Sequence, residues 1–255
     1  MIDFLIIQPP SQLIGRKEYF DKMSVKDTRL IAPHIGVAYL LAVAKQHGIQ
    51  SKFLDMHAGN LTVETVIEFA KQENPKVIGF TGWTSQIHNA ARIAELIKEQ
   101  VPNALFCTGG PHGTAIPMQT LEEFPIFDFI VCGEAENAIP ELFNNNLNYN
   151  SVANIVSKTK SEIKLKMIDM NTLPFPAWEE FDLSNYNGQT SGLGLESGKI
   201  LELPLSTSRG CFGTCVFCWR QFGGHRRHRE VDSVIEELER NISDFKCQLI
   251  NFSDE

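Results

Sequence analysis

Three cysteines, Cys211, Cys215 and Cys218, fall within eight positions in the run Ser208–Arg209–Gly210–Cys211–Phe212–Gly213–Thr214–Cys215–Val216–Phe217–Cys218. Thiolates in a Cys-x3-Cys-x2-Cys loop can converge on one metal centre, and Gly210 and Gly213 let the backbone turn tightly enough to aim them inward. The number of ligands carries the chemical information. Structural zinc takes four protein ligands, whereas a 4Fe–4S cluster held by three cysteines keeps one iron open to another ligand. Cys247, His225 or His228 could complete a zinc site, so zinc remains an alternative. Cys107, Cys132 and Cys247 are scattered along the chain, and this distribution reads as metal binding rather than as a disulfide framework.

A second group of residues lies at candidate strand ends. Thr81–Gly82–Trp83 follows one apolar run, Thr108–Gly109–Gly110–Pro111–His112 another, and Cys132–Gly133–Glu134–Ala135–Glu136 a third. Glycines at a strand end permit positive φ and close approach of a ligand to the backbone, although such glycines are most often plain turns. Glu134 and Glu136 are two residues apart at a helix start, where complementing the helix dipole is a better reading than acid–base catalysis. Arg220 and the run His225–Arg226–Arg227–His228–Arg229 form the basic cluster, read as solvated charge or as contact with an anionic cofactor rather than as a nucleic-acid patch.

The elements that must position these residues show alternating periods. Strands are predicted at Phe4–Gln8, Ser51–Leu54, Val77–Thr81, Leu105–Thr108 and Phe129–Cys132, and helices at Gly36–His47, Thr62–Gln72, His88–Gln100, Pro117–Glu123 and Ala135–Asn144. Val37, Leu40, Leu41 and Ala44 make a core-facing stripe, Thr62 is a predicted N-cap, and Gly48 and Pro75 stop their helices. Five strands with crossover helices give an α/β, doubly wound, flavodoxin- or Rossmann-like parallel sheet, with ligand sites beyond the carboxyl ends of its strands. Residues 144–171 change to Asn-rich and alternating text that suits a small hairpin or extended connection. Leu173–Pro174–Phe175–Pro176–Ala177–Trp178 cannot continue a helix and reads as an ordered linker. A strand at Leu201–Ser206, an amphipathic helix near Asp232–Ser243 with Val234, Ile235, Leu238 and Ile242 on one face, and a strand at Gln248–Phe252 surround the cysteine loop. Asn187–Gly188 and Ser191–Gly198 read as a mobile loop. The expected domains are 1–146, a connector at 147–199, and the first part of a second domain at 200–255.

Length and composition bound these readings. The 255 residues suffice for one large or two modest domains, and 43% hydrophobic with 21% charged residues excludes the disordered and collagen-like classes. The formal net charge of −8 counts against a nucleic-acid partner that would read the whole surface. No apolar run approaches a membrane span of about 18 residues, so a cytoplasmic protein without a membrane partner is expected.

The cysteine run, with Thr207–Ser208–Arg209–Gly210 ahead of it and Phe217 before its last cysteine, resembles the signature of the radical S-adenosylmethionine (SAM) enzymes. Ile35–Gly36–Val37–Ala38–Tyr39–Leu40, the Gly-Gly-Pro-His loop, the Gly-Glu-Ala-Glu turn and Leu173–Pro174–Phe175–Pro176 resemble, in order, the branch that carries a cobalamin-binding domain before its catalytic barrel. The resemblance spans essentially the whole chain. It implies a 4Fe–4S cluster on Cys211, Cys215 and Cys218, whose open iron chelates the methionine part of SAM. Electron transfer then cleaves SAM to a 5′-deoxyadenosyl radical. It further implies Phe217 against the adenine, Asp254 or Glu255 at the methionine amino group, and cobalamin beside Thr81, Gly82, Trp83, Gly109, Gly110, Pro111, His112, Gly133 and Glu134. In methylating members cobalt accepts a methyl group from one SAM and delivers it to a substrate radical made with a second; other members rearrange or cyclise rings.

One departure concerns the lower cobalt ligand. Where cobalt-ligating relatives carry Asp-x-His-x-x-Gly after the first strand, this chain has Gln8–Pro9–Pro10–Ser11–Gln12–Leu13. Asp55–Met56–His57–Ala58–Gly59 follows the second strand with its glycine one residue early, a coincidence of loop composition. Base-off cobalamin without a histidine on cobalt is therefore implied, with His112 at the cofactor tail or its phosphate. Only 44 residues follow Cys211, about one and a half βα units, so the barrel is expected to be incomplete in this chain. The expected partners are a flavodoxin- or ferredoxin-type reductant and a small-molecule or peptide substrate. The rival readings are a cobalamin- or nucleotide-binding module with structural metal, and an electron-transfer iron–sulfur protein.

Overall fold

The computed structural model describes residues 2–10, 32–186 and 200–254. They form two compact units: residues up to 10 with Val43–Met167, and residues 32–42 with 168–254.

The first unit is built on a six-stranded sheet. Its strands are β1 (Phe4–Gln8), β2 (Ser51–Asp55), β3 (Val77–Thr81), β4 (Leu105–Gly109), β5 (Phe129–Val131) and β6 (Ile155–Ser157), in the order β2-β1-β3-β4-β5-β6. Five strands are parallel, in the 2-1-3-4-5 order of flavodoxin-like sheets, and β6 closes one edge antiparallel through Phe129↔Ser157 and Val131↔Ile155. Parallel strands with helices on their faces must be apolar on both sides. Accordingly Phe4, Leu5, Ile6 and Ile7 are all buried, as are Val77, Ile78 and Phe80.

The helices are α1 (Ile35–Gln46), α2 (Val63–Glu73), α3 (Ile87–Gln100), α4 (Gly110–Ala115), α5 (Pro117–Glu123) and α6 (Ala135–Asn144). The Thr62 hydroxyl accepts the Thr65 amide at 3.2 Å to start α2, and Asn74 ends it in the left-handed region at φ 47°. Phe80, Ile93, Ile97, Phe106, Leu121, Phe127 and Ile130 interlock in one apolar cluster with Val66 and Ala70. This core fixes the carboxyl ends of β3, β4 and β5, which pair side by side through Thr81↔Gly109 and Thr108↔Ile130.

In the second unit β7 (Glu202–Leu205) pairs in parallel with β10 (Leu249–Phe252), and α7 (Val231–Ser243) lies between them in the chain, which makes one βαβ unit. The two-residue strands β8 (Ser208–Arg209) and β9 (Arg227–His228) pair antiparallel and close the base of the cysteine loop. The helix near Asp232–Ser243 is present, but its orientation corrects the expected apolar stripe. Glu237 and Asn241 are the buried positions, whereas Ile235 and Ile242 are exposed. Val234 and Leu238 are half-buried, and Glu237 faces inward, where it pairs with the buried Arg229 guanidinium. The segments 187–188 and 191–198 lie outside the described residues.

Candidate functional site

The first candidate site is at the carboxyl ends of β3, β4 and β5. Gly110 has φ 83°, and a Cβ there would lie 3.3 Å from the Gly82 carbonyl oxygen and 3.4 Å from both the Gly82 nitrogen and Thr81 Oγ1. Glycine is therefore required for conformation and for space at once, so the two loops meet backbone to backbone. Pro111 follows at the first turn of α4, where its missing N–H is harmless. The Gly-Gly-Pro-His segment, read from sequence as a loop, is thus the start of a short helix.

Gln86 sets the shape of the loop after β3. Its Oε1 accepts the Trp83 amide at 2.9 Å, and its Nε2 donates to the Pro9 carbonyl at 2.9 Å. Asn89 Nδ2 donates to the Pro10 carbonyl at 2.8 Å. These two buried amides tie the segment leaving β1 to α3, and sequence reading missed both. Their signal was available only as two side-chain amides at i and i+3 in the first turn of a helix. Trp83 itself is 61% exposed, a large ring left open at the strand ends.

His112 is buried, and its Nδ1 lies 3.1 Å from Thr84 Oγ1. Nε2 is buried with no hydrogen-bond partner. Burial lowers the imidazole pKa, against the raising effect of the Glu123 carboxylate and together with His88. A neutral ring with one open nitrogen is suited to hydrogen-bonding a ligand. Beyond β5, Gly133 at φ 69° donates its amide to Thr114 Oγ1 at 3.0 Å. Asn154 Nδ2 donates to the carbonyls of Cys132, Glu134 and Lys166, and its Oδ1 accepts the Lys166 amide at 2.8 Å. Asn154 is a third missed residue; its role depends on β6 lying beside β5. Glu134 and Glu136 are buried at the start of α6.

The Asp55–Gly59 segment is an Asx turn. Asp55 Oδ1 accepts the amides of His57 at 3.0 Å and Ala58 at 2.9 Å, so the carboxylate shapes its own loop. Ser11, Gln12 and Leu13 lie outside the described residues.

The second candidate site is the cysteine loop. Gly210 has φ 90°, and a Cβ there would sit 2.3 Å from the His225 carbonyl oxygen, so the two limbs of the loop touch through backbone. Cys211 donates its amide to the Gly223 carbonyl at 3.2 Å, and Cys218 donates to Cys215 at 3.1 Å. All three thiols are free, with Cys215 and Cys218 exposed. The sulfurs of Cys211 and Cys215 lie 3.3 and 3.8 Å from where a Gly213 Cβ would be, so the missing side chain leaves the space between them open. Among the described residues no three His, Cys, Asp or Glu side chains are gathered around one point. The donor set nonetheless fits an iron–sulfur cluster, because three unpaired thiols share one loop whose limbs are locked at the base. Phe217 is 90% exposed beside Cys218, and Phe212 and Val216 are exposed with it.

The basic run needs correction. Arg229 is not solvated: it is buried against Glu237, with Nη1 donating to Glu237 Oε2 at 2.5 Å, Tyr39 Oη at 3.3 Å and the Ser206 carbonyl at 3.2 Å. Arg227 Nη1 donates to the Ile168 carbonyl at 2.7 Å. Burial raises the Glu237 pKa, and the Arg229 charge opposes that shift. Arg209, buried two residues before Cys211, has its guanidinium carbon 5.3 Å from the Tyr39 ring centre and 5.2 Å from that of Phe222. Asp254 accepts hydrogen bonds from Thr207 and Ser208, and Glu255 lies outside the described residues.

A flavodoxin-like sheet with a glycine-lined strand-end site, followed by a βαβ unit that carries a three-cysteine loop, defines an α/β cofactor-binding protein. Residues 24–143 match the B12 binding domain family. The chain is 30% identical over 234 residues to an uncharacterized methyltransferase, PH0819, of Pyrococcus horikoshii, covering 88% of this chain and 49% of that protein. It is 28% identical over 227 residues to the anaerobic magnesium-protoporphyrin IX monomethyl ester cyclase of Rubrivivax gelatinosus, covering 81% and 38%. Its fold superposes on the cobalamin-dependent SAM radical enzyme OxsB, solved with aqua-cobalamin and SAM, with a TM-score of 0.74 at 18% identity, covering 100% of this chain and 34% of that one. The B12 binding domain match covers residues 24–143, and the likeness to these relatives extends over most of the chain. The chain spans half or less of the length of these relatives. No helix among the described residues is long and apolar enough to cross a membrane.

Proposed function

We propose that this chain is the cofactor-carrying part of a cobalamin-dependent radical SAM enzyme, most simply a methyltransferase. The observation that carries the reading is the pairing of two sites in one chain: the glycine-lined strand ends with the open nitrogen of His112, and the three free thiols of Cys211, Cys215 and Cys218. When bound, the cluster supplies the electron that cleaves SAM to a 5′-deoxyadenosyl radical, and cobalamin supplies the methyl carrier. The chain's own residues do the positioning. Gly82, Gly109 and Gly110 keep side chains out of the strand-end site, Trp83 offers an apolar surface there, and neutral His112 offers a hydrogen bond. Gly133 and Glu134, held by Thr114 and Asn154, complete its rim. In the second unit the exposed Phe217 ring is available to stack on adenine. On this reading residues 1–146 bind cobalamin, 147–199 connect, and 200–255 begin the radical SAM domain.

Ring cyclisation is the second reading, favoured by the similarity to a cyclase. Both share the first test. After anaerobic reconstitution with iron, sulfide and hydroxocobalamin, the chain should hold about four irons and one cobalt, and added SAM should change the electron paramagnetic resonance spectrum of the reduced cluster. Tight zinc with neither iron nor cobalt would overturn it.

A further inference from the structure

The segment between β7 and the first cysteine is tied at almost every polar group by residues far along the chain. Asp254 Oδ1 accepts the amides of Thr207 at 2.7 Å and Ser208 at 2.9 Å, and its Oδ2 accepts the Thr207 hydroxyl at 2.5 Å. Arg229 donates its amide to the Thr207 carbonyl at 2.9 Å and its guanidinium to that of Ser206 at 3.2 Å. Ser208 accepts at its carbonyl from the Ser206 hydroxyl at 3.1 Å. The amide of Ser253 donates to the Leu205 carbonyl at 2.8 Å, so β10 delivers Asp254 to this place by strand register. One carboxylate thus takes the amides of Thr207 and Ser208 where β7 ends. Two backbone hydrogen bonds to one side-chain oxygen hold the start of β8, directly before Gly210 and Cys211.

From this geometry we infer that Asp254 is a positioning residue that clasps the base of the cysteine loop to the carboxyl end of β10, so that cluster assembly depends on its hydrogen-bond acceptors rather than on its charge. The inference rests on the cluster reading for its last step only. It differs from the expectation that Asp254 meets the methionine amino group, because an ammonium ligand needs a carboxylate, whereas a clasp needs an acceptor oxygen in the right place.

Three variants of the full chain test this: Asp254→Ala, Asp254→Asn and Thr207→Val. In the protein without cofactors, hydrogen exchange at the Thr207 and Ser208 amides should quicken by about tenfold or more in Asp254→Ala, from loss of the oxygen that accepts both amides. It should stay within a few-fold of the parent in Asp254→Asn, and Thr207→Val should fall between. After anaerobic reconstitution Asp254→Ala should hold less than half the iron of the parent, while Asp254→Asn holds nearly all of it. Parental exchange and iron content in Asp254→Ala would overturn the inference, and so would Asp254→Asn failing as badly as Asp254→Ala. If the parent itself takes up no iron, the cluster reading fails, and the exchange rates still decide whether the clasp exists. If Asp254→Ala does not fold, the same comparison is made between Thr207→Val and Asp254→Asn: slower exchange in Asp254→Asn supports the clasp and the reverse order overturns it.

Discussion

The strand-end site and the cysteine loop are built in opposite ways. In the first unit the site is shaped before any ligand arrives, by fully buried strands, the Gln86 and Asn89 amides and glycines that leave no room for a Cβ. In the second unit only the base is fixed, by β8, β9, Arg229 and Asp254, while the tip exposes two thiols and the Phe212, Val216 and Phe217 side chains. One site is thus a rigid floor at the strand ends, and the other is an exposed loop tip on a fixed base. The two sites should therefore fail separately.

The largest expected effect comes from replacing Cys211, Cys215 and Cys218 together by alanine. Iron should fall to background with cobalt unchanged, as read by metal analysis and by absorption of bound cobalamin. Loss of both metals together would show that the two sites are not independent.

Next comes the ion pair under the loop. Arg229→Ala leaves Glu237 buried without its ion-pair partner, and a cost of about 3–5 kcal/mol to the second unit is expected in denaturant unfolding. Replacing both residues, as Arg229→Met with Glu237→Leu, should cost clearly less, because no charge is then stranded. A double variant as unstable as Arg229→Ala would mean that the bonds from Arg229 to Tyr39 and Ser206, not the pair, hold this region.

The complementary break in the first unit is Gly110→Ala. An L side chain at φ 83° costs about 1–2 kcal/mol and crowds Gly82 and Thr81, so hydroxocobalamin affinity should drop by about tenfold with iron content unaffected. Unchanged affinity in a spectroscopic titration would remove Gly110 from the site.

How much of this was legible in the sequence divides along the same line. Phe4–Gln8 and Val77–Thr81 were readable as strands to the residue, because an unbroken apolar run flanked by turn signals has few other uses in a parallel sheet. The Cys-x3-Cys-x2-Cys spacing places three free thiols in one loop, as the sequence pattern alone indicates. Gly110–Ala115 was missed as a helix because Gly-Pro-His-Gly has poor intrinsic propensity, and packing against β5 overrides it. The α7 face was read only in part, because hydrophobic periodicity carries no sign of the ion pair that Glu237 makes with Arg229, two residues before the helix. Asn154 and Asp254 act through partners more than ten residues away, and no local pattern encodes such pairs.

The smallest effect expected is a pH dependence that belongs to one unit only. His112 has a lowered pKa because folding removes its ring from water, so the unfolded chain binds a proton at a higher pH than the folded one does. Stability of the first unit should accordingly be flat above the ordinary histidine range and decline as pH falls through about 6.5, where the unfolded state gains protons first. His112→Asn should flatten that decline, measured as the denaturant midpoint at pH 7.5 and at pH 5.5. Bound cobalamin should change that decline if His112 Nε2 contacts it, deepening it where the contact selects the neutral ring and flattening it where the contact is an anionic phosphate, whereas an unchanged slope on binding would place the cofactor away from His112.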